Sequence, residues 1–188
     1  MTTLASSSST SPVPMAPTTL PFAQQPAAGA PRWLAAAVAA TALVWPAAAG
    51  MRWGPQKFRS GIWYRLLHKP AFQPPDKALP LAWGAIDTAL AVGAYRLLRE
   101  PSAPQRTRAL GLWALNVGLI GGWSGIFFGR RNLPASTLVA AAMVGTGAAY
   151  VAQARRVDTT AAVVGVPFVA WLCFTTMLTA ALWRRNRR

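Results

Sequence analysis

The chain has 188 residues, and its 19 Lys and Arg residues against 4 Asp and Glu residues give a formal net charge of +15 at pH 7. Charged residues make up 12% of the sequence, which is about half the share of an ordinary soluble domain. The length allows one domain with a tail. Such a charge suggests a nucleic-acid binder, but the basic residues lie outside long apolar windows, which excludes that class.

The first 31 residues contain no charged side chain and consist mainly of Ser, Thr, Pro, Ala and Gln. A segment of this composition cannot bury enough apolar surface to offset the entropy lost on ordering. We therefore predict that 1–31 is a disordered tail. The segment has neither the Arg-rich composition of a transit peptide nor the basic start of a signal peptide.

Five windows of 18 to 25 residues follow, and Asp87 is the only charged residue in them. A helix needs about 20 apolar residues to cross a hydrocarbon core ~30 Å thick. Core helices of soluble proteins show a polar stripe that these windows lack, and a membrane β-barrel needs alternating polarity. We predict an all-α integral membrane protein, a bundle of five transmembrane helices over residues 32–188. The predicted helices span about 33–50, 78–98, 109–129, 134–153 and 159–183.

The connection 51–77 is the longest in the predicted bundle and is rich in aromatic residues. Long loops with apolar content of their own are often binding loops or lids. We therefore predict that 51–77 forms a lid over one end of the bundle.

The basic residues are distributed unequally between the two sides of the predicted membrane domain. Seven lie on the side of the N-terminus and twelve on the other side. The excess of positive charge in cytoplasmic loops predicts a cytoplasmic C-terminus. The tail composition and the preference for Arg over Lys favour a bacterial membrane; in a eukaryote we expect the mitochondrial outer membrane.

Small residues recur at intervals of four on the third predicted helix, at Ala114, Gly118 and Gly122. Such rows let helix backbones approach closely in lipid. They predict either packing inside the bundle or a homodimer through this helix, and we favour the homodimer slightly.

The chain shows no motif of a hydrolase, nucleotide-binding loop or metal site. Asp87 lies near the middle of the second predicted helix, where an ionisable group is costly unless it faces a cavity or a partner. It marks either a functional site or a structural hydrogen bond. Among nine tryptophans, several lie within the windows. Aromatic walls suit a flat apolar ligand; filling of the core is the alternative, and composition alone does not exclude it.

The sequence resembles the TspO/MBR family of tryptophan-rich sensory proteins, translocator proteins and peripheral-type benzodiazepine receptors. Residues 63–75 read WYRLLHKPAFQPP and are similar to the family's WYxxLxKPxFxPP signature. Residues 123–129 resemble its WxxxFFG block, 167–175 its PYLAWLxF block and 183–186 its WRxN block. The ordered blocks cover all of the chain but the tail.

The resemblance implies a five-helix bundle whose first loop closes over a pocket for tetrapyrroles such as protoporphyrin IX or haem, with no cofactor required. The expected functions are sensing, transport or buffering of porphyrins. The alternatives are light- and oxygen-dependent porphyrin breakdown, with Trp83 and Trp171 as catalytic residues, and sterol or lipid transport. The implied ligand-binding residues are Trp63, Tyr64, Trp83, Asp87, Trp123, Phe127, Phe168, Trp171 and Thr175. The implied lid motif consists of Lys69, Pro70, Phe72, Pro74 and Pro75.

The chain departs from the family pattern at two places that bear on ligand choice. Asp87 stands where the family usually has Tyr, so the polar contacts to a ligand are expected to differ. The segment 178–184 lacks the tyrosine of the proposed cholesterol motif, which disfavours sterol binding there. Whether the protein is an enzyme stays open, and binding or transport is favoured.

Overall fold

The computed structural model describes residues 28–187. The predicted tail therefore lies outside the described residues except for 28–31. Within that short part, Ala30 donates a backbone hydrogen bond to the carbonyl of Leu98 and accepts one from the Arg99 guanidinium. The residue that precedes the first helix by two positions is thus hydrogen-bonded to the C-terminal end of the helix that contains Leu98 and Arg99.

The described residues form six α-helices and one π-helical turn. The five longest helical segments are long and apolar enough to cross a membrane, which confirms the predicted fold class. The elements are α1 (Arg32–Trp53), α2 (Phe58–Leu66), α3 (Ala78–Arg99), α4 (Pro104–Ser124), the π-turn (Gly125–Gly129), α5 (Leu133–Ala154) and α6 (Thr159–Arg185).

The long helices pack as a closed ring in the order α1, α3, α6, α5, α4 and back to α1. Small residues permit the close approaches. A side chain at Gly121 would collide with the Trp45 indole of α1, and one at Gly165 would lie 2.8 Å from the ring of Tyr150 on α5. Many large apolar side chains point outwards, as expected where lipid rather than water surrounds the bundle.

The helix ends follow the local sequence. The Asp158 carboxylate caps α6 by accepting a hydrogen bond from the backbone N–H of Ala161, and the Asn132 side chain caps α5 in the same way. Arg96 holds Asp158 from α3 through three hydrogen bonds of 2.8 to 3.1 Å. These contacts keep the pKa of the Asp158 carboxyl below its ordinary value, chiefly through the Arg96 hydrogen bonds.

The predicted boundaries differ from the observed ones in two places. The third long helix begins at Pro104 rather than at about 109, because Pro is favoured in a first helical turn and arginine side chains near a helix end can reach the interface. The predicted lid 51–77 is not a simple loop. Its first residues complete α1, and Phe58–Leu66 form α2, which contacts the π-turn where Ser60 donates a hydrogen bond to the Phe128 carbonyl.

Candidate ligand pocket

Helices α3, α4, α5 and α6 enclose a small cavity within the bundle. Its volume is about 10 Å³, which is close to the minimum for a single water molecule. It is lined by Trp83, Ile120, Trp123, Ala140, Met143, Leu172 and Thr175. Ligand pockets usually measure roughly 300 to 1,000 Å³, so the cavity in this structure is too small for a ligand of that class.

Two groups of aromatic rings flank this cavity. On one side Trp83 meets Trp171 edge to face, with ring centroids 6.2 Å apart, and Trp171 contacts Phe174 at 5.1 Å. On the other side Trp123 stacks on Phe127 with centroids 4.8 Å apart and planes 17° apart. The Trp123 indole N–H donates to the Ser136 carbonyl at 3.0 Å, which fixes the orientation of this ring.

Two aromatic residues of the lid pack against the second aromatic group. Trp63 contacts Phe127 at a centroid distance of 5.5 Å, and Tyr64 contacts the same ring at 6.2 Å. Burial, followed by the negative charge of Asp76, raises the pKa of Tyr64 to about 12 although a hydrogen bond from Gln73 lowers it. Tyr64 therefore stays protonated and neutral at physiological pH.

Polar contacts hold the lid in shape. Lys69 forms an ion pair with Asp76 at 3.1 Å, and its ammonium group lies 4.2 Å from the centre of the Tyr64 ring. The Gln73 amide donates hydrogen bonds to the Tyr64 hydroxyl at 3.1 Å and to Asp76 at 3.2 Å. The Lys69–Asp76 ion pair thus holds the closing part of the lid together and places it against the Tyr64 ring.

The end of α6 fastens the lid to the bundle. The Asn186 side chain accepts a hydrogen bond from the His68 backbone N–H at 3.0 Å and donates one to the His68 carbonyl at 3.3 Å. Phe72 also reaches Phe174 of α6, with ring centroids 6.4 Å apart. We call the Asn186–His68 contact the lid latch.

The sequence of residues 35–184 matches the profile of the TspO/MBR family. The chain belongs to this family. It is 32% identical to the human translocator protein over 126 residues, which cover 66% of this chain and 75% of that protein. It is 29% identical to the protein CrtK of Rhodobacter capsulatus over 131 residues, covering 69% and 81%. The tryptophan-rich sensory protein of Cereibacter sphaeroides is 29% identical over 124 residues, covering 66% and 77%.

The TspO/MBR bundle brings most of the expected ligand-binding residues together. Trp83, Trp123 and Thr175 line the cavity, and Trp171 touches Trp83. The others that join this arrangement through ring contacts are Phe127, Trp63 and Tyr64.

Two expected residues stand apart from the cavity lining. Phe168 is fully buried and lies next to Gly147 of α5, so it packs in the core. Asp87 is 8% exposed and follows Trp83 by one helical turn, and its Oδ1 atom has no hydrogen-bond partner among the described residues. The Trp171 indole nitrogen is also buried and has none there.

The lid-motif residues are placed differently from one another. Lys69 makes the ion pair described above, Pro70 is buried, and Phe72 is half exposed while it contacts α6. Pro74 is half-buried and Pro75 is exposed, and both precede Asp76 in the closing part of the lid.

The sequence did not single out the apolar residues that complete the cavity, which are Ile120, Ala140, Met143 and Leu172. Two of them, Ala140 and Met143, belong to the buried face of α5, which runs through Ser136, Ala140, Met143, Gly147 and Tyr150 at intervals of three and four. No difference in polarity marks this face in the sequence, because the faces towards lipid are apolar as well.

Proposed function

We propose that this membrane protein binds a tetrapyrrole, protoporphyrin IX or haem, between its two aromatic groups, and thereby senses, transports or buffers porphyrins. The observation that supports the proposal is that Trp83 of α3 and Trp123 of α4 face one cavity beneath the lid. Indole faces and edges provide a large apolar area in a fixed orientation, which suits stacking on a flat ring system.

The small cavity requires that binding be coupled to opening. A volume of about 10 Å³ cannot hold a ligand that needs several hundred Å³. The lid meets the two aromatic groups edge to face, through Phe72 on Phe174 and through Trp63 and Tyr64 on Phe127. These contacts can be exchanged for contacts with a ligand ring. We therefore expect the lid to move away and the two aromatic groups to separate when the ligand enters.

Asp87 and Trp171 supply the polar part of the proposed site. A buried polar atom without a partner costs about 1 to 3 kcal/mol, and both Asp87 Oδ1 and Trp171 Nε1 are in this condition among the described residues. A ligand with hydrogen-bond donors near Asp87 and an acceptor near Trp171 would relieve that cost. Pyrrole N–H groups and propionate oxygens have these properties.

Quenching of tryptophan fluorescence by protoporphyrin IX tests the proposal. Replacing both Trp83 and Trp171 by Phe is expected to weaken binding by roughly 10-fold, since stacking contributes about 0.5 to 1.5 kcal/mol per aromatic pair beyond burial. The control replaces Trp33, which is 72% exposed, by Phe and is expected to leave affinity unchanged. Equal affinity in the double variant and in this control would reject the site.

The edge-to-face contact of Trp83 with Trp171 favours one second function, the light-dependent oxidation of a bound porphyrin by molecular oxygen. Illumination of the complex, followed by porphyrin absorbance, separates this activity from binding alone. Bleaching at the rate of free porphyrin in detergent would leave binding as the function.

The side of the membrane and the oligomeric state stay predictions. The unequal distribution of arginines supports a cytoplasmic C-terminus, which a reporter fused behind residue 188 would test. Ala114, Gly118 and Gly122 are all exposed on the outer surface of the bundle, which supports the proposed homodimer through α4.

A further inference from the structure

A second, larger depression lies outside the bundle core, where α5 begins and α6 ends. Its volume is about 600 Å³, and it shares no residue with the cavity beneath the lid. We call it the basic groove. It is lined by Arg131, Leu133, Pro134, Trp183, Asn186 and Arg187.

The groove carries two oriented guanidinium groups. Arg187 lies with its guanidinium carbon 4.2 Å from the centre of the Trp183 ring. Arg131 donates a hydrogen bond to the Arg59 carbonyl at 3.2 Å, and its backbone has a φ of 54°, a region that non-glycine residues rarely adopt. Each arginine is therefore held by a specific contact and is not a freely rotating surface charge.

None of the described residues that line the groove carries a carboxylate. Among residues 28–187 the ion pairs are Lys69 with Asp76 and Arg96 with Asp158, so Arg131 and Arg187 have no acidic partner in that part of the chain. A guanidinium group offers five N–H donors and no acceptor, and its planar fork fits phosphate and carboxylate oxygens. The groove thus offers donors to an anion.

The position of the groove selects the kind of anion. Trp183 lies in the last turns of a membrane-spanning helix, at the depth where tryptophan side chains meet lipid headgroups. Leu133 and Pro134 add an apolar wall on the side of α5. A ligand with a phosphate and adjoining apolar chains matches both parts.

We propose that the basic groove binds the phosphate of an anionic phospholipid between Arg131 and Arg187, with the glycerol and upper acyl chains against Trp183, Leu133 and Pro134. Asn186 borders the groove but already uses its side chain in hydrogen bonds with His68 and Leu182. The two arginines therefore bind the headgroup. Since free phosphate shares this chemistry, the experiment has to separate the two sources.

Native mass spectrometry of the detergent-solubilised full chain tests the proposal. The protein is titrated with phosphatidylglycerol or with phosphatidylcholine, and the fraction carrying one lipid is measured. We expect tighter binding of phosphatidylglycerol and a roughly 10- to 30-fold loss in the Arg131→Gln, Arg187→Gln double variant, because each basic residue near a membrane surface makes a substantial contribution to lipid attraction.

The matched control is the Arg155→Gln, Arg156→Gln double variant, which removes the same charge where α5 meets α6 at the other end of the bundle. It is expected to retain phosphatidylglycerol binding. An equal loss in both double variants would show general charge attraction and overturn the proposal. Equal binding of the two lipids would also overturn it.

Two further arms complete the test. Displacement of phosphatidylglycerol by equimolar inorganic phosphate would overturn the lipid assignment, whereas persistence of the complex supports it. Where the double variant does not fold, the single Arg187→Gln variant is used, because Arg187 follows the end of α6 and is exposed. An unchanged lipid affinity in that variant would overturn the stacked arrangement on Trp183.

Discussion

The lid latch predicts how fast a ligand enters and leaves the pocket. Asn186→Ala removes the two hydrogen bonds with the His68 backbone, which measure 3.0 and 3.3 Å, and the 3.4 Å contact of Asn186 Oδ1 with the His68 ring nitrogen Nδ1. A typical intramolecular hydrogen bond contributes about 0.5 to 1.5 kcal/mol net. Asn186 is half-buried and the second bond is long, so we expect a total of about 1 to 2 kcal/mol. This corresponds to a 5- to 30-fold larger population of the open lid.

Stopped-flow fluorescence with protoporphyrin IX measures the effect. If the lid recloses over the bound porphyrin, both the association and the dissociation rate constants of Asn186→Ala should rise by roughly 5- to 30-fold; if it stays open, only the association rate constant should rise. Asn186→Asp keeps the oxygen that accepts from the His68 N–H but loses the donor to its carbonyl, so it should give an intermediate increase. Arg185→Ala is the control and should leave both rate constants close to those of the wild type, because the hydrogen bond from Arg185 to the Lys69 carbonyl is long, at 3.5 Å, and therefore weak.

Hydrogen exchange of the lid supplies the second measurement. In Asn186→Ala the amides of residues 63–76 should exchange faster, while those in the middle of α5 keep their protection. Unchanged lid exchange together with unchanged rates, in a variant that unfolds at the wild-type temperature, would refute the latch. The ring contacts of Phe72 with Phe174 and of Trp63 and Tyr64 with Phe127 would then hold the lid.

Three other expectations concern the bundle itself. Gly121→Ala should lower stability by about 1 to 3 kcal/mol in a detergent unfolding titration, because the added methyl overlaps the Trp45 ring. A side chain at position 118 would meet open space, so Gly118→Leu should preserve the unfolding midpoint. Loss of the crosslinked dimer in this variant would support the homodimer. Asp158→Asn should make stability depend less steeply on pH in the acid range. Because the pKa of Asp158 is lowered in the folded protein, its pairing with Arg96 stabilises the fold above pH ~4 and this stabilisation is lost as the pH falls further. An equally steep acid profile in this variant would contradict the pairing.

The membrane-spanning helices were predictable because lipid dictates both their length and the absence of charge. The same rule misplaces the start of α4: the charges of Arg106 and Arg108 exclude both residues from the apolar window, although the helix begins at Pro104. Helix α2 escaped prediction for another reason. It has only nine residues, too few to be stable alone, and it forms against the distant π-turn.

The candidate pocket was predictable only where residue types are distinctive. Trp83 and Trp123 stand out in an apolar window, and the family resemblance implies a ligand-binding role for them; both line the cavity. Met143 and Leu172 do not stand out. In a membrane protein the side chains facing lipid are as apolar as those facing the core, so polarity no longer marks the buried face.

The closed cavity and the latch together predict which binding quantity changes. The apparent dissociation constant equals the intrinsic one divided by the fraction of protein in the binding-competent state. If the lid recloses over the ligand, the Asn186–His68 contacts are present before and after binding, and Asn186→Ala changes both rate constants while the affinity stays constant. If the bound lid remains open, the latch stabilises only the free protein, and the same substitution tightens the apparent affinity by about 5- to 30-fold. An affinity that weakens with Asn186→Ala would mean that the latch is stronger in the complex than in the closed free state described above.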